Sequence, residues 1–299
     1  MSAMKAILAL LAAAAVLAAC HPGPPAGERA QGRALAFGGV SRSYLVYAPK
    51  ARAPRPALLL VLHGWQGSAH EIEQRTRFGF DRLADRDGFV VAYPDAVAGQ
   101  WHSGHYGEVA TGDDVGFLSG LIDTLSRQYD VDPKRIYVTG FSNGASMTYR
   151  LACERSDRIA AIAPVSGGLA ENVMPDCAQR SQRPIPLLLI HGTDDPVVAF
   201  NSGERAGNLA YWVRRNGCGL TPQVTRLPDA DPNDGTQTRV ESYPGCRDGA
   251  DVTFYAIEGG GHHWPGGDEP AFREPHGRTP RDFDGATTVW SFLKAHPMP

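Results

Sequence analysis

From about Ala34 onward the chain alternates short apolar runs with segments of helical period. Ser43 to Ala48 reads as an edge strand, and Ala57 to Leu62 ("ALLLVL") is an unbroken apolar run. Phe89 to Tyr93, Ile136 to Thr139, Ala160 to Pro164, Leu187 to Ile190 and Val252 to Ile257 are equally short and apolar. Runs without polar alternation suit strands whose two faces are both covered by helices. Between them, Asp113 to Tyr129 places Val115, Phe117, Leu118, Leu121, Ile122 and Leu125 at spacings of three and four, with Asp113 and Asp114 near its start. Gly144 to Glu154, Glu204 to Arg215 and Phe283 to Ala295 follow the same rule. Alternating β and α segments predict an α/β domain with a mostly parallel, doubly wound sheet. Pro228 to Thr236 ("PDADPNDGT") is acidic and turn-rich, and reads as a surface loop.

The first residues follow another pattern. Lys5 precedes the apolar stretch "AILALLAAAAVLAA", which is short and Ala-rich for a membrane span and reads as an export signal over residues 1–19. Its end, Leu17-Ala18-Ala19-Cys20, resembles the lipobox of bacterial lipoproteins, so Cys20 is expected to carry the lipid; a plain secretory signal is the alternative. Residues 20–33 are Pro/Gly-rich and polar, as in a flexible tether, and leave one domain over residues 34–299.

Composition narrows the classes. Of 299 residues, 42% are hydrophobic and 20% charged, a balance that excludes a wholly disordered or fibrous chain. A net charge of −3 argues against the phosphate-tracking surface of a nucleic-acid binder. Membrane contact is expected only through the lipid anchor. Export permits disulfides, and setting Cys20 aside leaves four cysteines with three possible pairings. The two sequence-local pairs, Cys153 with Cys177 and Cys218 with Cys246, are expected. No C-x-x-C, zinc-protease helix, phosphate loop or dinucleotide glycine pattern occurs.

In a sheet of this kind chemistry gathers at the carboxyl ends of the strands, and four ends carry unusual residues. "RIYVTGFSNGA" is a strand, then G-x-S-x-G, then a helix, the context in which Ser142 reads as a nucleophile on a sharp turn. "LLLIHGTDDPVV" ends a strand on Asp194 and Asp195, either of which could orient an imidazole, or simply cap a turn before Pro196. "VTFYAIEGGGHHWPGG" ends one on three glycines and the pair His262-His263, with His262 favoured as general base. "VLHGWQGSA" supplies a His63-Gly64 loop where the backbone N–H of Trp65, together with that of Asn143, would face an oxyanion. His63 itself reads as structural. The order Ser, Asp, His is that of the α/β-hydrolases.

"YVTGFSNGASMTYRLACE", "DDVGFLSGLID", "HGTDDPVV" and "IEGGGHHWPGG" resemble the secreted esterases grouped as polyhydroxybutyrate depolymerase-like, together with feruloyl and acetylxylan esterases of carbohydrate esterase family 1. The likeness runs from about Arg42 to the C-terminal "TTVWSFLKAHP". It implies an α/β-hydrolase fold, a nucleophile at Ser142, an acid at Asp195 and a base at His262. It also implies carboxylic-ester substrates, on feruloyl- or acetyl-type polysaccharide esters or on hydroxyalkanoates, and no metal or organic cofactor. Two positions depart from the family pattern: His263 stands where Thr is common, and Trp65 where Cys or Gly is common. Trp65, Trp101, Tyr106, Phe141 and Trp264 fall in or near the strand-end loops, and Trp101, Phe141 and Trp264 are candidate substrate contacts. A lapsed binding protein on this scaffold and an exported serine peptidase are the alternatives to an esterase.

Overall fold

The computed structural model describes residues 30–105, 108, 112–170, 172–180, 183–200, 203–268 and 276–299. The export segment, Cys20, most of the expected tether and Tyr106 lie outside the described residues. Ten strands form one sheet: β1 (Gln31–Phe37), β2 (Val40–Tyr47), β3 (Leu58–Leu62), β4 (Val90–Pro94), β5 (Ile136–Phe141), β6 (Ala161–Val165), β7 (Leu187–Gly192), β8 (Gln223–Arg226), β9 (Gln237–Tyr243) and β10 (Val252–Glu258). Their order across the sheet is β1-β2-β4-β3-β5-β6-β7-β10-β9-β8. The six central strands, β4 to β10 in that order, run parallel. The antiparallel pairs lie at the two edges.

Strands β3 to β7 are buried along their whole length and β10 over most of it, and their side chains divide between two cores according to the pleat. Leu58, Leu60 and Leu62 of β3 join one hydrophobic cluster with Val138 and Leu121, while Leu59 and Val61 join the other with Tyr137 and Val289. That division is why β3 reads as "LLLVL" rather than as an alternating strand. The helices on the faces are α1 (Ala69–Arg75), α2 (Gly79–Asp87), α3 (Asp114–Tyr129), α4 (Asn143–Glu154), α5 (Met174–Arg180), α6 (Gly203–Arg215) and α7 (Gly285–Lys294). Asp113 caps α3 by accepting from the Gly116 N–H, and Asp284 caps α7 by accepting from the Thr287 N–H.

Two features differ from the sequence reading. Strand β1 begins at Gln31, inside the segment read as a tether, and pairs with β2 over its full length. Its side chains are at most half-buried, so no apolar run betrays it, and the backbone ladder carries it instead. Strands β8 and β9 form the opposite edge, where Gln223–Arg226 is wholly exposed and so lacks an apolar signature. The Pro228 to Thr236 loop joins them.

Both expected disulfides are present. Cys153–Cys177 ties α4 to α5, and Cys218–Cys246 ties the end of α6 to the turn after β9, across separations of 24 and 28 residues. Closing loops of that length removes freedom from the unfolded chain, worth roughly 3 kcal/mol each in the chain-entropy account. Among the described residues no helix is long and apolar enough to cross a membrane.

Candidate active site

Strand β5 stops at Phe141 and helix α4 starts at Asn143, leaving Ser142 alone to make the turn. Ser142 takes φ 56° and ψ −119°, a left-handed conformation that an L-residue occupies only when its surroundings impose it. The constraint is visible on both sides. The Ser142 N–H donates to the Val165 carbonyl at 2.9 Å, and its own carbonyl accepts from Ala145 and Ser146 at 2.9 and 3.1 Å. Neighbouring glycines make the turn sterically possible. A Cβ on Gly140 would lie 2.4 Å from the Gly144 carbonyl oxygen, and one on Gly144 would lie 2.4 Å from the His63 carbonyl oxygen. Both distances are impossible for a real side chain, so G-x-S-x-G is a packing requirement here.

Strand β7 delivers the candidate acid. Asp194 faces outward and accepts from the Thr193 hydroxyl at 2.9 Å, whereas Asp195 turns inward and is buried. The Asp195 carboxylate collects four donors. Oδ1 accepts from the N–H groups of Val197 and Val198 at 2.9 and 2.7 Å. Oδ2 lies 2.8 Å from His262 Nδ1 and 3.0 Å from His191 Nε2. Burial alone would raise the affinity of this carboxyl for a proton. The hydrogen bonds from His191 and His262, followed by that of Val198, outweigh burial and hold it well below the usual carboxylate range.

His262 reaches Asp195 because strand β10 ends in glycines. A Cβ on Gly192 would meet the Gly260 carbonyl oxygen at 2.2 Å, so the ends of β7 and β10 touch backbone to backbone. The Asp194 N–H donates to that same carbonyl at 2.9 Å, and the His262 N–H donates to the His276 carbonyl at 2.6 Å. With Nδ1 turned to an ionised carboxylate, the His262 proton resides there and Nε2 is left as an acceptor. The ring of Phe141, the residue before the serine, stands 4.8 Å from the His262 ring and brings the elbow beside the imidazole.

The His63-Gly64 loop closes the site from the third side. A Cβ on Gly64 would lie 3.4 Å from the Ser142 Cβ, so this backbone rests against the elbow. The Gly67 N–H donates to the Gly64 carbonyl at 3.1 Å and Gln66 takes φ 55°, which makes residues 64–67 a tight turn. Neither the Trp65 nor the Asn143 N–H has a hydrogen-bond acceptor among the described residues. His63 is structural: its Nε2 accepts from the Ala96 N–H at 3.0 Å, which assigns the proton to Nδ1 and makes Nδ1 the donor to the Gly64 carbonyl at 2.7 Å. Burial, partly opposed by that bond, lowers its pKa and keeps it neutral.

The aromatic candidates part company here. Trp101 has no exposed surface and Trp264 only 2%, so neither is available to a substrate; Trp264 packs edge-on against Phe80. Phe141 is buried against His262 and the Arg75 guanidinium. Of the described candidates, Trp65 is the exposed one, at 61%, on the turn beside Ser142. The contact of His191 with Asp195 had no signal in the sequence, because a His ending an apolar run reads as ordinary core. His263 is also buried, with Nε2 at 3.1 Å from the Gly277 carbonyl. Among the described residues no group of three or more His, Cys, Asp or Glu side chains is arranged to hold a metal ion.

A family model described as phospholipase/carboxylesterase matches residues 108–216. A Nocardia uniformis subsp. tsuyamanensis protein named as an esterase, NocK, is 32% identical over 296 residues, covering 90% of this chain and 84% of that one. Feruloyl esterase B of Piromyces equi is 32% identical over 221 residues, covering 69% of this chain but only 39% of the longer relative. Among solved structures, acetyl xylan esterase from Aspergillus awamori superposes with a TM-score of 0.61 at 18% identity, over 78% of this chain and 94% of that one, which shows the shared fold.

Proposed function

This chain belongs to the α/β-hydrolase family of carboxylic-ester hydrolases that includes feruloyl esterases, and from that premise we propose that it is a serine esterase acting through Ser142, His262 and Asp195. The observation that carries the reading is the 2.8 Å contact of His262 Nδ1 with a buried, fully donated Asp195 carboxylate, beside a serine held at φ 56°. His262 Nε2 takes the proton from Ser142 Oγ as the oxygen attacks the ester carbonyl. The Trp65 and Asn143 N–H groups receive the oxyanion, aided by the N-terminus of α4. His262 then protonates the departing alcohol. Water, activated by the same imidazole, attacks the acyl-enzyme and releases the acid. Asp195 holds the tautomer and balances the imidazolium, and His191 holds Asp195.

For the acyl group we propose hydroxycinnamoyl-type esters, ahead of acetyl and hydroxyalkanoate esters. Trp65 offers an exposed indole on a hydrogen-bonded turn next to the nucleophile, suited to stack on an aromatic ring. A panel of methyl ferulate, acetylated xylan, hydroxybutyrate oligomers and p-nitrophenyl acetate tests this with purified protein. Methyl ferulate is expected to show the highest kcat/KM of the natural-type substrates. Preference for acetylated xylan or hydroxybutyrate oligomers overturns the acyl assignment, and faster turnover of a matched amide overturns the esterase.

We also propose export and lipid anchoring at Cys20, supported by the residues Leu17-Ala18-Ala19-Cys20 after an apolar segment. Cys20→Ser is expected to move the protein from the membrane pellet to the soluble fraction of its host. Pelleting that is unchanged by the substitution rules the anchor out.

A further inference from the structure

Trp101 makes hydrogen bonds to both sides of the proposed oxyanion hole. Those sides come from distant parts of the chain: the Trp65 N–H from the turn after β3, and the Asn143 N–H from the first residue of α4. The pairing of β3 with β5 and the packing of Gly144 on the His63 carbonyl bring the two sides together. Trp101 touches both. Its indole Nε1–H donates to the His63 carbonyl at 3.0 Å, immediately before the Gly64-Trp65 segment. Its main chain pairs with the side chain of Asn143 in both directions: the Trp101 N–H donates to Oδ1 at 2.7 Å, and Nδ2 donates to the Trp101 carbonyl at 3.1 Å.

The contacts around Trp101 make it a rigid bracket. The Gln66 N–H donates to the Gly99 carbonyl at 2.8 Å, so a residue just before Trp101 also holds this turn, and the His63 ring packs 5.1 Å from the indole itself. Beyond it, the His102 N–H donates to Asp114 at 2.7 Å, and Asp114 is paired with Arg42 at 2.7 Å, both side chains buried. The His102 carbonyl accepts from Arg150 of α4 at 2.6 Å. The bracket is thus fastened to α3, α4 and β2.

We propose that Trp101 is a positioning residue of the ester-cleaving reaction, setting the separation of the Trp65 and Asn143 N–H groups through its indole N–H and its cyclic pairing with the Asn143 amide. The proposal rests on the reading of this site as an oxyanion hole. It replaces the role of substrate contact, which burial denies to Trp101. Oxyanion donors stabilise charge only where it develops, so displacing one lowers kcat while leaving substrate binding nearly intact.

The test uses Trp101→Phe, which keeps an aromatic ring in the core and removes the indole N–H, and Asn143→Ala, which keeps the backbone donor and removes the amide pairing. Each is expected to lower kcat by about 10- to 100-fold on p-nitrophenyl acetate, less than outright loss of a donor, with KM within about twofold. Affinity for a boronic acid that mimics the tetrahedral intermediate is expected to fall by the same factor as kcat/KM. The double variant is expected to lose little beyond the worse single one, because the two side chains act as one bracket. Unchanged kcat, or a fall in kcat without weaker boronic acid binding, overturns the proposal. Should Trp101→Phe fail to fold, Asn143→Ala carries the same two readouts. Wild-type activity that disappears in Ser142→Ala shows that the serine reading stands even where the bracket fails.

Discussion

Replacing Ser142 by Ala is expected to lower kcat on p-nitrophenyl acetate by about 10⁴-fold or more, equivalent to about 5.5 kcal/mol of lost transition-state stabilisation. The magnitude follows from what remains. Without Oγ there is no nucleophile for His262 to activate, and the oxyanion donors are left to assist water from an unsuitable position. The fold should survive, because Ala retains the Cβ that Ser142 already accommodates at φ 56°, and the hydrogen bonds fixing this turn are made by backbone atoms. Unchanged circular dichroism and melting temperature, together with lost turnover, are therefore the expected pair of results. A folded variant that hydrolyses the ester at the wild-type rate would falsify the assignment.

The second large effect is expected at Asp195. Asp195→Asn should reduce kcat by about 10⁴-fold near neutral pH, with a much smaller change in KM. The amide oxygen can still accept from the Val197 and Val198 N–H groups. Its NH₂ then faces both His262 Nδ1 and His191 Nε2, where the carboxylate had accepted. Two donors cannot share that contact, so His262 moves its proton to Nε2 and can no longer take one from Ser142. Asp194→Asn is the control: its exposed carboxylate accepts from the Thr193 hydroxyl and from no other group among the described residues, and activity should stay within about twofold of wild type, as for an exposed position. The reverse outcome, with Asp194→Asn inactive and Asp195→Asn active, would exchange the two residues.

Much of this was legible in the residues. The buried strands announce themselves as "ALLLVL" or "LLLIHG" because both faces are covered, and apolar side chains on both faces leave no room for alternation. The elbow is equally plain, since Gly140 and Gly144 stand where a Cβ would collide with backbone. The edge strands β1 and β8 were not legible, because what holds them is a ladder of backbone bonds that any residue can make.

By itself, then, the sequence determined the central parallel sheet, the serine turn, the four strand ends at which chemistry could gather and the set of cysteines available for pairing. Those properties are local: they follow from side-chain period, glycine sterics and chain order. Which neighbouring groups share one carboxylate, which tryptophan meets solvent and which is walled in follow from the packing of distant segments. His191 and His262 lie on different strand ends and converge on Asp195 because β7 and β10 are adjacent in the sheet. Trp101 and Trp65 occur in equally loop-like sequence, yet one is buried against the His63 carbonyl and the other is exposed. That difference depends on contacts between residues some 40 positions apart, and no periodicity in the chain encodes it.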